Sequence, residues 1–301
     1  MISLPDLWLR FDSFQALDLK SAYLHITRLF RAADFDTPQL DARLLIMAAT
    51  GIDHAALIAK ETDPLPSQDI DILKKYIQRR LSGEPIDYIL GYREFYGRKF
   101  IVNQQVLSPR PETELLIDLA VPILKSKKKP NVLDMGTGSG AIILTLLSEC
   151  PHIQAHATDI SRDAIKTARE NAALLELTNR VAFTQSHWFN QVTDKYDLII
   201  SNPPYIDSKA MAVLQKEVAC FDPILALSGG DDGLEAYRII AAQAAAYLTP
   251  KGHIALEIGY DQKDSVTTLL TTNGFRDITC HKDLSNHDRV IWATMPIKKI
   301  L

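Results

Sequence analysis

Two short stretches of this 301-residue chain carry residue types that could do chemistry together. The first is Asp134-Met135-Gly136-Thr137-Gly138-Ser139-Gly140, whose alternate glycines let a backbone turn tightly and approach a ligand with no Cβ in the way. The second is Asn202-Pro203-Pro204-Tyr205. Consecutive prolines fix their own φ angles and offer carbonyl oxygens without competing N–H donors, so acceptors are held outward at low entropic cost. The Asn202 side-chain oxygen and the Pro203 carbonyl could each accept one hydrogen of an NH2 group and orient its nitrogen for in-line attack on an electrophilic methyl, while Tyr205 stacks on the flat face. An amide nitrogen, with its lone pair delocalised, gains from acceptors that strengthen as positive charge develops on it, and no histidine base is required. A planar amide or amine nitrogen is the target that fits. Taken alone, Pro-Pro reads more readily as a rigid turn between a strand and a loop.

The elements that must position these residues give the spacing its meaning. The glycine loop stands where a strand, Val132-Leu133, hands over to a helix running through Leu147, the position at which doubly wound folds bind nucleotides. Asp159 ends the following strand, Ala155 to Thr158, where a carboxylate can accept hydrogen bonds from both ribose hydroxyls; its plainer reading is a cap ahead of Ser161. Position 141 is alanine where the dinucleotide fingerprint wants its third glycine, so nicotinamide is the poorer fit and a nucleoside with free hydroxyls the better one. Trp188 follows the third strand, Val181 to Phe183, and its ring could lie beside an adenine or in the core. Asn202 follows the fourth, Tyr196 to Ile200, so cofactor loop and tetrapeptide face one crevice.

From Asn131 onward strand and helix patterns alternate, with a helix from Ser161 through Ala164 to Leu175, another near Leu234 to Leu248, and a strand at Ile254 to Ile258. That pattern means an α/β fold with a mainly parallel sheet covered on both faces. Ile278 to His281 and Val290 to Ala293 follow each other without a helix, as in an antiparallel hairpin at a sheet edge. Residues 1–84 read instead as a helical domain: Pro38 opens a helix that ends at Gly51, and Ser67 caps one carrying Ile70, Leu73, Ile77 and Leu81, with Gly83 past its end. Residues 85–108, rich in aromatics around Gly97, read as a hairpin linker, leaving 109–301 as the cofactor-binding domain. The lysines of Lys125 to Pro130 read as a solvated loop.

Composition excludes other classes. With 47% hydrophobic and 23% charged residues and no run of about 18 apolar residues, the chain reads as a soluble protein without a membrane span. Met1 to Arg10 lacks the pattern of a secretory signal, so a cytoplasmic location is expected. Cys150, Cys220 and Cys280 form no Cys-x-x-Cys pair and are expected to be buried thiols. His152 and His156 lead into a strand and would not share a helical face, so no metal is expected. A formal charge of -4 offers no global attraction to polynucleotides, and neither a direct nucleic-acid partner nor an oligomer is expected.

These residues together resemble the protein-(glutamine-N5) methyltransferases that modify peptide chain release factors. The likeness extends over nearly the whole chain, through Tyr88-Ile89-Leu90-Gly91, Arg93-Glu94-Phe95-Tyr96-Gly97, Pro109-Arg110-Pro111-Glu112-Thr113-Glu114, Trp188-Phe189, Asp222-Pro223, Gly229-Gly230 and Asp232-Gly233-Leu234. It implies a Rossmann-like class I methyltransferase domain with a mainly parallel seven-stranded sheet, joined by the hairpin to the helical domain. It also implies S-adenosylmethionine as methyl donor, with S-adenosylhomocysteine as product, and as substrate the glutamine of the Gly-Gly-Gln motif in class I release factors, gripped by the helical domain. Gly136, Thr137, Gly138, Ser139, Gly140, Asp159, Trp188 and Asn202 then look like cofactor contacts, and Asn202, Pro203, Pro204 and Tyr205 like the glutamine clamp. The chain departs from the family pattern at His187, where an acidic residue is usual, and at Asn286-His287-Asp288-Arg289. The competing readings are an adenine-N6 methyltransferase of DNA or RNA, which Asn-Pro-Pro-Tyr alone would also suit, and a non-catalytic module that binds cofactor or release factor only.

Overall fold

The computed structural model describes residues 17–296 apart from 215. The reading of Met1 to Arg10 lies outside the described residues. The chain divides into two compact units between Gly91 and Tyr92.

Among the described residues of the first unit five helices, α1 (Leu19–Ala32), α2 (Pro38–Thr50), α3 (His54–Ala59), α4 (Ser67–Leu81) and α5 (Ile86–Leu90), surround an apolar centre that includes Ile26, Phe30, Leu45, Ile46, Leu73 and Ile77. The expected helix from Pro38 is present, and Gly51 ends it in the left-handed conformation. Ser67 is not the cap of α4: it is already helical and its side chain makes no capping bond, because the extended Pro66 occupies the flanking position and its carbonyl takes the Asp69 N–H. The ion pair of Arg80 with Asp41 is buried in this unit. Arg80 Nε donates to Asp41 Oδ2 at 2.8 Å, and the guanidinium lies over the Phe35 ring, 3.9 Å from its centroid. A buried pair of this kind costs more to break than it contributes net, so it restricts how α2 and α4 can pack.

The second unit opens with a hairpin, β1 (Tyr92–Phe95) and β2 (Arg98–Ile101), whose Phe95 and Phe100 meet edge to face and belong to the core of this unit. A short turn at Pro111–Thr113 leads into α6 (Glu114–Lys125). There follow β3 (Asn131–Met135), α7 (Ala141–Glu149), β4 (Gln154–Asp159), α8 (Arg162–Leu174), β5 (Val181–Gln185) and β6 (Tyr196–Ser201). After three short helices, α9 (Ser208–Met211), α10 (Lys216–Phe221) and α11 (Ile224–Leu227), come α12 (Glu235–Tyr247), β7 (Leu248–Glu257), α13 (Lys263–Thr272), β8 (Arg276–Lys282) and β9 (Asp288–Thr294).

Seven strands form one sheet in the order β5-β4-β3-β6-β7-β9-β8, parallel from β5 to β7, with β9 antiparallel to both its neighbours. The expected terminal hairpin is therefore present, folded back so that β9 pairs with β7 and β8 takes the edge. Inner strands are buried on both faces, as the apolar runs Leu198-Ile199-Ile200 and Ile254-Ala255-Leu256 require. The order reverses between β3 and β6, so the crevice at their carboxyl ends is the topological switch point, and both chemical stretches emerge there.

Two further sequence expectations change at this level. Cys150 is buried, but Cys280 is half-buried and Cys220 is exposed, because Cys220 lies on a short surface helix outside the sheet's cover. Lys127, within the lysine run, folds back onto Asp197 at the start of β6 at 2.9 Å, while its neighbours remain in solvent. No helix among the described residues is long and apolar enough to cross a membrane.

Candidate active site

The carboxyl ends of β3, β4, β5 and β6 border a cavity of about 380 Å³. Gly136, Thr137, Gly138 and Ser139 line it from the first loop, Asp159 from the second, Trp188 from the third and Asn202 with Pro204 from the fourth. Gly140, Pro203 and Tyr205 do not line it. A Cβ on Gly140 would stand 3.0 Å from Leu144 Cδ1 and 3.3 Å from Ala168 Cβ, so that glycine lets α7 and α8 pack closely. At Gly138 the backbone has a φ of +55°, which favours glycine, and the place of a Cβ is open space.

Asp159 ties the loops together. Its Oδ2 accepts the Gly138 N–H at 2.9 Å and its Oδ1 the Ser161 N–H at 2.9 Å, while Ser161 itself caps α8 through Ala164. Burial pushes its carboxyl up, and the backbone N–H groups of Ser161, Gly138 and Ile160 pull it back down. Beyond these three donors the carboxylate keeps acceptor capacity for a ligand hydroxyl. Asn171, inside α8, donates to the Ser139 carbonyl at 2.9 Å and exchanges two bonds with the backbone of Ile101, at 2.6 and 3.0 Å, which pins both the glycine loop and β2 to one helix. Asp134 is fully buried beneath the loop; one oxygen accepts the Thr137 hydroxyl at 2.7 Å, and desolvation pushes its carboxyl up to about 7.

Trp188 stands at the border of cavity and core. Its ring lines the cavity and packs against the core, held in a positive-φ turn by the Ser186 hydroxyl, which donates to the Trp188 carbonyl at 2.9 Å. His187 also lines the cavity and is exposed.

The tetrapeptide is braced from behind. The Ser201 hydroxyl donates to the Met135 carbonyl at 2.6 Å, locking the end of β6 to the end of β3 one residue before each functional loop. The Asn202 amide donates to Thr113 Oγ1 at 3.3 Å, and the Thr113 hydroxyl donates to Glu257 Oε2 at 2.7 Å. Gln262 Nε2 donates to the carbonyls of Tyr205 and Gly233, at 3.0 and 3.1 Å. Burial, reinforced by the Glu257 charge, pushes the Tyr205 phenol up to about 12, so that ring stays neutral at physiological pH. Thr113, Glu257, Asn171 and Gln262 were not singled out from the sequence as site residues. The one signal available was Glu257, a charged residue ending the apolar run Ile254-Ala255-Leu256 at the ligand side of a sheet.

Gly233, with φ +72°, presses its backbone against Tyr205. A Cβ there would overlap the Tyr205 carbonyl oxygen and stand 2.7 Å from Gln262 Nε2. Gly233→Ala is expected to lower unfolding stability by about 2 kcal/mol or more, since left-handed strain and a clash with backbone act together. A urea midpoint equal to that of the unsubstituted chain would mean that this contact does not hold the tetrapeptide.

Comparisons with known proteins agree with this arrangement. The Methyltransferase small domain model matches residues 112–273 and the PrmC N-terminal domain model residues 21–91. The chain is 41% identical over 265 residues to the release factor glutamine methyltransferase of Agrobacterium fabrum, covering 87% of this chain and 92% of that one. Against the release factor glutamine methyltransferase of Caulobacter vibrioides the identity is 38% over 276 residues, covering 91% and 96%. A bifunctional methyltransferase of Rickettsia typhi is 39% identical over 84% of this chain, which spans 53% of that longer protein. Among solved structures the hMettl16 catalytic domain superposes with a TM-score of 0.56 at 16% identity, over 75% of this chain and 83% of that one, a likeness of fold.

Proposed function

Since the chain belongs to the release factor glutamine methyltransferase family, we propose that it methylates the side-chain amide N5 of the glutamine in the Gly-Gly-Gln motif of class I peptide chain release factors, tuning translation termination. It is an S-adenosylmethionine-dependent methyltransferase. The observation that carries the substrate reading is the convergence of Asn202 with the glycine loop and Asp159 on one cavity.

The residues present fit the methyl donor. Open space at Gly136 and Gly138, a carboxylate with spare lone pairs at Asp159, an indole at Trp188 and a volume within the roughly 300–1,000 Å³ of small-molecule sites suit a nucleoside with a long polar tail. Gly136 to Ser139 and Asp159 are the residues that hold it in this reading, with Trp188 beside the adenine. When bound, S-adenosylmethionine supplies a sulfonium methyl that can be transferred as an electrophile, leaving S-adenosylhomocysteine.

Everything else falls to the chain. Asn202 Oδ1 and the Pro203 carbonyl accept the two hydrogens of the glutamine amide, so the nitrogen is turned toward the cofactor side of the cavity. As the nitrogen gains positive charge these two acceptors bind its hydrogens more strongly, which lowers the barrier where it is highest. Tyr205, neutral and buried on one side, supports the flat face of the amide in this reading. No side-chain base need be placed at the nitrogen, because its proton becomes acidic once the new bond has formed and can leave to water. The helical unit 17–91 is assigned the grip on the release factor.

The test is transfer of labelled methyl from S-adenosylmethionine to a purified class I release factor, with duplex DNA and RNA in parallel reactions. Label in protein alone is expected. Label in a polynucleotide, with the steep salt dependence of phosphate contacts, would replace this reading with adenine-N6 methylation.

A further inference from the structure

Behind the clamp, three polar side chains from distant parts of the sequence form one directed chain of hydrogen bonds. Glu257, the last residue of β7, is 1% exposed, and Thr113, at the turn before α6, is 4% exposed. The Thr113 hydroxyl donates to Glu257 Oε2 at 2.7 Å, and Thr113 Oγ1 accepts from Asn202 Nδ2 at 3.3 Å. A threonine hydroxyl has a single proton. An ionised carboxylate can only accept, so it takes that proton, and Thr113 is left with lone pairs alone to offer Asn202. Only the NH2 end of the Asn202 amide can meet them. Its carbonyl end is thereby turned away from Thr113, leaving Oδ1 for the cavity that Asn202 lines.

We propose that Thr113 and Glu257 are positioning residues that set the polarity of the Asn202 side chain, so that it presents an acceptor to the substrate NH2 group. The proposal rests on the clamp reading above. Without the fixed chain, rotation of the amide would bring its own NH2 against the substrate NH2, two donors facing each other with no acceptor between them, and the nitrogen would lose its orientation.

The chain has a protonation state in which it fails. Protonated Glu257 can donate to Thr113 Oγ1, which frees the Thr113 hydroxyl to donate to the carbonyl end of Asn202 and reverses the amide. Burial pushes the Glu257 carboxyl up to about 7. The Thr113 hydrogen bond and the positive charges of Arg289 on β9 and Arg110 ahead of the turn oppose that rise, and Glu112 adds to it. Tyr205 and Tyr237 complete the surroundings as neutral phenols, the Tyr237 hydroxyl donating to the Glu257 backbone carbonyl at 2.8 Å. The working form is the ionised one, so turnover is retained above the Glu257 pKa and falls as pH drops through it.

The experiment compares the full chain with Thr113→Val, Thr113→Ser and Glu257→Gln, measuring S-adenosylmethionine Kd, kcat on release factor against pH, and the Asn202 side-chain amide resonance against pH, identified by its absence in Asn202→Ala. Thr113→Val is expected to lose about 10- to 100-fold in kcat with Kd unchanged, whereas Thr113→Ser stays within about threefold of wild type. Glu257→Gln cannot gain a proton; it should lack the acid limb of the kcat profile and the pH shift of the Asn202 resonance that wild type shows. Equal losses in Thr113→Val and Thr113→Ser, full turnover in Thr113→Val, or an Asn202 resonance that titrates identically in wild type and Glu257→Gln would each overturn the proposal. The resonance needs no substrate, so it is decided even where release factor proves not to be methylated, an outcome that counts against the substrate reading instead.

Discussion

Asn202→Ala is expected to lower kcat on release factor by about 10²- to 10³-fold, the range seen when one group aimed at developing charge is removed, while S-adenosylmethionine Kd stays within about threefold of wild type. The reason is where the side chain acts. Asn202 is half-buried at the end of β6, its NH2 end engaged by Thr113, and only its carbonyl end is available to the reacting nitrogen. In the proposed reading the cofactor has separate contacts in the glycine loop, Asp159 and Trp188, which line the cavity from the ends of other strands. Truncation therefore removes an interaction that strengthens along the reaction, with little ground-state binding lost. Calorimetry with S-adenosylmethionine and single-turnover kinetics separate the two quantities. Parallel losses in Kd and rate would remove Asn202 from the clamp and make it a cofactor contact alone.

Asp159→Ala should show the opposite division. A weakening of S-adenosylmethionine binding by about 1.5–3 kcal/mol is expected, the usual worth of hydrogen bonds to a charged group, with kcat at saturating cofactor changed far less. The carboxylate also holds the N–H groups of Gly138 and Ser161, so part of the loss reflects a less ordered glycine loop. Asp159→Asn, which keeps one carbonyl oxygen, should recover a part of the affinity. An unchanged dissociation constant in Asp159→Ala would refute the ribose role.

What the sequence made legible follows a physical pattern. Gly136 to Ser139, Asp159, Trp188 and Asn202 are legible as one group because all of them end or follow strands, and a parallel sheet delivers its strand ends to one crevice; Gly140, in the same run, serves helix packing instead. The strand order adds what periodicity cannot supply, the reversal between β3 and β6 that opens the cavity between them. Thr113 and Glu257 meet through tertiary packing alone, from the turn before α6 and the end of β7, and nothing local in Pro111-Glu112-Thr113 marks its hydroxyl as buried. Asn171 carries no local signal in the sequence; only the approach of β2 and the Ser139 carbonyl to α8 shows why an amide is needed there. Ser67 failed as a cap because an extended proline at 66 had already fixed the entry to its helix. Cys220 failed as a buried thiol because residue type says little about a segment that leaves the sheet altogether.

The central claim concerns one nitrogen, and the measurement closest to it locates the methyl group. Release factor incubated with the full chain and labelled S-adenosylmethionine would be digested and its peptides fragmented, beside a factor in which the glutamine of the Gly-Gly-Gln motif is alanine. The account predicts one methyl on that glutamine side chain and no label in the alanine variant. Label persisting in the variant, or residing on any other residue, would contradict it.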